Sequence, residues 1–221
     1  MSDAYHIIVA DDHPLFRSAL SGTLLREFPD VCIHEAQDLS SLQLQVEHNE
    51  QAHLILLDLH MPGAQGFSGL IFLVAHYPHI PVIIVSAHDQ PEIIRRAMDH
   101  GASGFLPKSS GIDDMVEAIQ TVLKGGVWMP KNVSMSDSSN PSEMDFAQAL
   151  AQLTPQQFRV ANMVSEGLLN KQIAYELGVT EATIKAHMTE IFRKLGLHSR
   201  TQVVKAMSAL AVQPLHDQST F

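Results

Sequence analysis

Asp58 follows the apolar run Leu54-Ile55-Leu56-Leu57 and precedes Leu59-His60-Met61-Pro62-Gly63. An uninterrupted apolar run closed by a Pro-Gly turn describes a strand buried on both faces. Its carboxylate is then delivered at the strand's C-terminal end, the edge where open α/β sheets bind ligands. Ile7-Ile8-Val9-Ala10 stops in the same way, on Asp11-Asp12. Three carboxylates at one edge repel one another unless a cation joins them, so the pattern points to a hard-metal site whose central aspartate could itself react. Pro81-Val82-Ile83-Ile84-Val85 ends on Ser86, and Gly104-Phe105-Leu106-Pro107 ends on Lys108, which adds a hydroxyl and an ammonium to the same edge. Phosphoryl transfer needs this equipment: an in-line oxygen nucleophile, a divalent ion across the oxygens and a cation for developing charge. Mg²⁺ favours one or two carboxylates plus waters, and an attacking aspartate forms an acyl phosphate. Taken singly, each residue has a plainer use. Asp12 before His13-Pro14 suits a helix cap, and Phe105 alone reads as core.

The elements that must hold these groups alternate. Strands are expected near 6–10, 31–35, 53–57, 81–85 and 103–106, and helices near 14–28, 39–48, 67–76, 90–100 and 111–124. Five βα units imply a parallel sheet covered on both faces. In the flavodoxin-like strand order the first and third strands flank the topological switch point, and those are the strands that end in Asp11-Asp12 and Asp58.

Charge divides the chain. Residues 1–125 hold 6 Lys/Arg and 16 Asp/Glu, whereas residues 151–221 hold 7 and 5, within an overall net charge of −10. An acidic front and a mildly basic back imply different partners for two domains. No apolar run is long enough to span a bilayer, and Met1-Ser2-Asp3-Ala4-Tyr5-His6 lacks the basic start and apolar stretch of a signal peptide. The single cysteine, Cys32, excludes an internal disulfide and suits a reducing cytosol. Within Val31-Cys32-Ile33 it reads as a buried strand residue. The 13 histidines show no convincing metal-ligand spacing, and His76 and His79, on either side of Pro78, read as surface residues.

Residues 5–124, with Asp11-Asp12, Asp58, Ser86, Phe105 and Lys108 in strand order, resemble the receiver domain of two-component response regulators. The resemblance implies that Asp58 accepts a phosphoryl group. It implies Mg²⁺ held by Asp12, Asp58 and the backbone carbonyl of His60, with Asp11 acting through water. Lys108 would bind phosphoryl oxygens, Ser86 would swing to hydrogen-bond one of them, and Phe105 would turn inward as a switch.

After Gly125-Gly126 the alternation stops, and the polar stretch from Ser134 to Ser142 reads as a linker, with helix resuming by about Met144. Thr154-Pro155-Gln156-Gln157 combines an N-cap, a proline at N1 and a capping-box glutamine. A second helix is expected over 171–177, capped by Asn170 and stopped by Gly178, and a third from Thr180 to Leu195, ended by Gly196. Two helices joined through Gly178-Val179-Thr180 match a helix-turn-helix, with Ala174 small enough for a close crossing. In the third helix Ile184, Met188, Ile191 and Leu195 form an inward stripe. Ala182, Lys185, Ala186, Thr189 and Arg193 lie opposite, a basic and small face suited to the major groove, although a plain solvated helix would show the same pattern.

Leu153-Thr154-Pro155, Asn170-Lys171-Gln172-Ile173-Ala174, Thr183-Ile184-Lys185-Ala186-His187 and Lys194-Leu195-Gly196 with Ser199-Arg200-Thr201 resemble the LuxR-type DNA-binding domain. Base contacts would fall on Lys185, Ala186 and Thr189, and phosphate or structural roles on Thr183, Lys171 and Arg200. Gln156-Gln157 and Thr189 depart from the common pattern. The last helix, about 200–212, would form a dimer contact through Ala206, Leu210 and Val212.

The expectation is therefore a doubly wound five-stranded α/β receiver (1–125), a linker (126–149) and a four-helix, all-α helix-turn-helix domain (150–221). Together these make a cytoplasmic response regulator of the NarL/FixJ class, and not an enzyme. A sensor histidine kinase would phosphorylate Asp58 with Mg²⁺. The phosphorylated chain would pair as a homodimer on double-stranded DNA, with half-sites about one turn apart or at multiples of that, after release of a recognition helix that the receiver can mask. An aspartate-nucleophile phosphatase of the haloacid dehalogenase type is a rival, but it would need an acid where His60 stands. A receiver that serves only as an interaction module is the other.

Overall fold

The computed structural model describes residues 4–131, 133 and 140–212. Five strands, β1 (Tyr5–Ala10), β2 (Val31–Ala36), β3 (Leu54–Asp58), β4 (Val82–Ser86) and β5 (Gly104–Pro107), pair in parallel in the order β2-β1-β3-β4-β5. Helices α1 (Pro14–Glu27), α2 (Leu39–His48), α3 (Ser68–His76), α4 (Pro91–Asp99) and α5 (Ile112–Leu123) fill the connections. Every residue of β3 and β4 is buried, because both sheet faces are covered. Ile7, Val9, Leu54, Leu56, Ile83, Val85 and Leu106 meet Leu20 and Leu24 of α1 and Ile119 of α5. Alternate residues Ile8, Ala10, Ile55, Leu57, Ile84 and Phe105 meet Leu42, Leu70 and Ile94 of α2, α3 and α4. This two-residue alternation is why the runs read as apolar throughout.

β2 is a sheet edge, and this corrects the reading of Cys32, which is exposed. β5 is the other edge and is buried, so the difference lies in cover: the side chains of β2 are mostly half-buried or exposed, and apolar neighbours along the chain do not supply that cover.

Five helices follow: α6 (Pro141–Ala151), α7 (Pro155–Ser165), α8 (Asn170–Glu176), α9 (Glu181–Leu195) and α10 (Arg200–Ala209). Of the stretch read as linker, residues 134–139 lie outside the described residues. Helix resumes at Pro141, with the Asn140 side chain accepting the Ser142 N–H as cap, three residues before the expected start. Thr154 caps α7 as expected, its hydroxyl accepting from Gln157 N while Gln157 Oε1 accepts from Thr154 N. Asn170 is not a cap. It is the first helical residue, and Gln172 Oε1 accepts the N–H of Leu169 instead. Gly178 at φ 64° and Gly196 at φ 65° end α8 and α9 in the left-handed region that glycine occupies without strain. Among the described residues no helix is long and apolar enough to cross a membrane.

The two halves pack against each other through α3 and α4. Phe72 of α3 stacks on Phe158 of α7 with ring centroids 4.6 Å apart. The N–H of Phe67 donates to the Leu210 carbonyl at 3.1 Å, and Gly66, at φ 51°, has no room there for a side chain: an added Cβ would fall 2.1 Å from that oxygen. Arg96 of α4 donates to Glu143 of α6 at 2.9 Å and to the Ala209 carbonyl at 2.8 Å, while His100 Nε2 lies 2.8 Å from the same Glu143 oxygen. The Arg96 guanidinium also covers the Phe67 ring at 4.8 Å.

Burial alone would raise the Glu143 carboxyl, but hydrogen bonds from His100 and Arg96 and their charge hold it below its ordinary value of 4.5. A lowered folded value means that this cross-domain contribution is complete above that ordinary value and is lost as pH falls through the folded one. Limited proteolysis between the halves should therefore be slow at neutral pH and accelerate below about pH 4.5. Glu143→Gln should show the faster cleavage already at neutral pH, without loss of secondary structure by circular dichroism.

Candidate functional site

Adjacent strands β1 and β3 are in register through Ala10 and Leu57, so Asp11 and Asp58 emerge side by side at the carboxyl edge. Both are buried, at 2 % and 3 % exposure, a costly place for two carboxylates. Lys108, the residue after β5, crosses the edge to offset that cost. Its Nζ lies 2.7 Å from Asp11 Oδ2 and 2.9 Å from Asp58 Oδ2. Burial would lower the lysine, but hydrogen bonds to Asp11 and Asp58, reinforced by their charges, outweigh it and hold the ammonium protonated. Its backbone is set by the Lys108 N–H donating to the Ser86 carbonyl at 2.7 Å. Phe16 covers the other side, with the ammonium 4.7 Å from its ring centre. Ser86 is fully buried at the end of β4, and its Oγ accepts the His88 N–H at 3.1 Å. The structure thus brings together Asp11, Asp12, Asp58, Ser86 and Lys108 from four strand ends.

Asp11, Asp12, His13 and Asp58 present ligand atoms within 4.8 Å of one another, a cluster that could hold a metal ion. Asp11 Oδ2 and Asp12 Oδ1 are buried, the first against Lys108 Nζ at 2.7 Å and the second against His13 Nδ1 at 2.5 Å. Clustered, buried carboxylate oxygens with lone pairs to spare are the ligands that a hard cation takes. His60 contributes its N–H to Asp58 Oδ1 at 3.2 Å. Phe105 is fully buried in β5, so the inward turn expected of it is not a movement this arrangement still has to make.

Three neighbours escaped the sequence reading. His13 sits against Asp12, and its backbone N–H donates to Asp11 Oδ1 at 2.7 Å. Arg17 donates to the Asp11 carbonyl and, at 3.0 Å, to Glu35. His88 lies over His60 with ring centres 4.8 Å apart; burial, then the neighbouring His60, lower it, outweighing the opposing charges of Asp58 and Asp89. Only His13 had a local signal, its place directly after the acidic pair.

In the second half, Ile184, Met188, Ile191 and Leu195 are buried as expected, and Lys185, Ala186, Thr189 and Arg193 are exposed along the opposite face of α9. Lys185 pairs with Glu181 at 3.4 Å and Arg193 with Glu190 at 2.8 Å. Exposed pairs of this kind are screened by solvent and contribute little, so an external phosphate or base can replace the acid cheaply. Thr183 is tied to the cap, its hydroxyl 2.9 Å from that of Thr180. Arg200 donates to the Leu168 carbonyl beyond the end of α7, a structural use, whereas Lys171 is exposed at the start of α8.

The polar face of α9 is exposed. Besides α6 and α7, the receiver half meets the far end of α10, where Leu210 is fully buried, Val212 is 5 % exposed and the backbone of residues 210–211 abuts Gly66. Ala206 remains partly exposed.

Comparison with known proteins agrees with this geometry. Residues 7–120 match the response regulator receiver domain family, and residues 151–207 match the bacterial regulatory proteins of the luxR family. The glycerol metabolism activator of Pseudomonas putida is 43 % identical over 207 residues, covering 90 % of this chain and 93 % of that protein. The nitrate/nitrite response regulator NarL of Escherichia coli K12 is 27 % identical over 198 residues, covering 89 % and 91 %. Among solved structures, the RcsB response regulator of Salmonella typhimurium shares the fold with a TM-score of 0.53 at 22 % identity, covering 94 % of this chain and 99 % of that one. An RcsB structure described as two dimers bound to two parallel DNAs gives 0.54 at 21 %, covering 94 % and 100 %. These relatives are transcriptional regulators rather than enzymes. With a receiver at its front and a luxR-family DNA-binding domain at its back, the chain belongs to the NarL-type two-component response regulators.

Proposed function

We propose that Asp58 accepts a phosphoryl group from the phosphohistidine of a sensor kinase and that the modified chain binds promoter DNA as a dimer. The observation that carries the first half is the Lys108 ammonium at 2.7 Å from Asp11 and 2.9 Å from Asp58. An Asp58 oxygen attacks phosphorus in line, the P–N bond to the donor imidazole breaks with its electrons passing to nitrogen, and an aspartyl phosphate results. Asp12, Asp58 and the His60 carbonyl would hold Mg²⁺, with Asp11 reaching it through water; the ion supplies charge neutralisation across the transferred oxygens. Lys108 passes from the Asp58 carboxylate to a phosphoryl oxygen, and Ser86 donates its hydroxyl to another. Phe105, the switch residue, is already buried in this arrangement.

The second half rests on the exposed face of α9. Lys185, Ala186 and Thr189 read base edges, Arg193 and Lys171 meet phosphates, and Thr183 and Arg200 hold the helices that present them. Leu210 and Val212 are buried in this arrangement, so pairing through α10 requires the halves to part. The division is a receiver over 1–125, a connection over 126–149 and a DNA-binding domain over 150–221, working in the cytoplasm where the DNA is.

Asp58→Asn should lose Mg²⁺-dependent phosphorylation by a kinase or a small phosphodonor and Mg²⁺-dependent beryllofluoride binding, read by intact-protein mass spectrometry and by fluorescence. Retained phosphorylation would remove Asp58 from its role. Beryllofluoride that fails to bind the unaltered chain would favour a receiver acting only as an interaction module. Lys185→Ala should weaken specific DNA binding by about 1–3 kcal/mol and relax one position of the footprint. Identical footprints would take Lys185 out of the readout.

A further inference from the structure

At the opposite, amino-terminal edge of the sheet a second group of ligating side chains comes together, which neither the phosphoryl chemistry nor DNA binding uses. His6 of β1 pairs in register with Cys32 of β2, and His34 stands two residues beyond Cys32. Side chains two apart on a strand share a face, and directly paired residues of neighbouring strands share it too. His6, Cys32 and His34 therefore converge, with a ligand atom from each within 4.8 Å of the others. His6 Nδ1 lies 3.0 Å from His34 Nε2, and the two rings stack with centres 5.3 Å apart. Cys32 is exposed, so its sulfur is reachable from solvent.

We propose that His6, Cys32 and His34 form a binding site for a borderline or soft divalent transition metal of the Zn²⁺ class, separate from the acidic cluster. Two imidazoles and one thiolate suit Zn²⁺ and its neighbours and do not suit Mg²⁺ or Ca²⁺, which take oxygen ligands. Tetrahedral coordination at ordinary Zn–N lengths sets two imidazole nitrogens about 3.3 Å apart. The His6–His34 hydrogen bond therefore opens by only a few tenths of an ångström as the metal enters. The Cys32 thiol gives up its proton to solvent, and the sulfur becomes the third ligand.

The nearest further donor, His53, is otherwise engaged. Its Nδ1 accepts the backbone N–H of His6 at 3.1 Å, which puts the proton of a neutral ring on the other nitrogen. Its ring stacks beside His6 with centres 6.2 Å apart, which orients the His6 imidazole. Three protein ligands with the fourth position left to water make an exchangeable site rather than a closed structural one. Glu47 and Glu50 line a groove that His6 also borders. A metal there ties the edge strand β2 to β1. It sits about 16 Å along β1 from Asp11, five residues at strand spacing, so the two sites bind independently.

The test uses the full chain stripped with a chelator. Zn²⁺ affinity is measured by competition with a chromophoric chelator, and Co²⁺ is titrated as a spectroscopic probe. One equivalent of Zn²⁺ should bind, and Co²⁺ should give a thiolate-to-metal charge-transfer band. Cys32→Ser should abolish the band and weaken Zn²⁺ at least tenfold, and His34→Gln should weaken it comparably. Asp58→Asn, which alters the other candidate site, should change neither. Circular dichroism of the metal-free variants confirms that these substitutions leave the fold intact, and His6→Asn provides a third ligand test should either fail to fold. Zn²⁺ affinity unchanged in the variants, or a Co²⁺ spectrum without the thiolate band, would overturn the assignment.

Discussion

The receiver half is organised around one electrostatic problem. Asp11 and Asp58 are held almost free of solvent at the carboxyl edge of a parallel sheet, and the Lys108 ammonium between them is the cation that offsets their repulsion. Removing one partner from such a buried set leaves an uncompensated charge, a cost of several kcal/mol. Four strands, their register and the turn after β5 all serve to aim side chains from distant parts of the chain at this one point. The burial that makes the carboxylates expensive also excludes water from the place where charge would develop during transfer.

The same sheet carries a second consequence. β4 ends on Ser86, and the loop after it leads into α4, which bears Arg96 and is followed by His100. Those two side chains converge on Glu143 of α6, while Arg96 also holds the last carbonyl of α10. One helix therefore runs between the carboxyl edge that holds Asp58 and the contact with the DNA-binding half. The contact combines a stacked Phe72–Phe158 pair with the Arg96–Glu143–His100 charge cluster. The receiver leaves the α9 face open and covers the end of α10 instead.

Much of the fold was legible because its signals are local. Apolar runs of strand length, each stopped by a polar residue, marked β1, β3, β4 and β5 to within a residue or two, and Thr154-Pro155-Gln156-Gln157 marked the start of α7 through capping chemistry that operates within four residues. The errors have the same root. Asn170 has the chemistry of a cap but was displaced by Gln172, which reaches back to Leu169. Cys32 has apolar neighbours in sequence, yet what covers β2 is set by tertiary packing, and that packing leaves Cys32 exposed. Glu143 carries no mark at all, since its partners Arg96 and His100 are more than forty residues away in sequence.

By itself the sequence determined which groups arrive at the carboxyl edge. Strand periodicity and the position of an acid at a strand's end depend only on neighbours along the chain, and parallel βα winding then leaves one edge for all of them. It likewise determined the two faces of α9, because a helix repeats every 3.6 residues whatever surrounds it. Only the tertiary structure decided the rest: the Lys108 bridge, the Arg96–Glu143–His100 cluster between the halves, the covered end of α10, and the meeting of His6, Cys32 and His34 across β1 and β2. Each of these is a contact between side chains set by strand order and domain packing, and an interaction energy of that kind has no term in the local sequence.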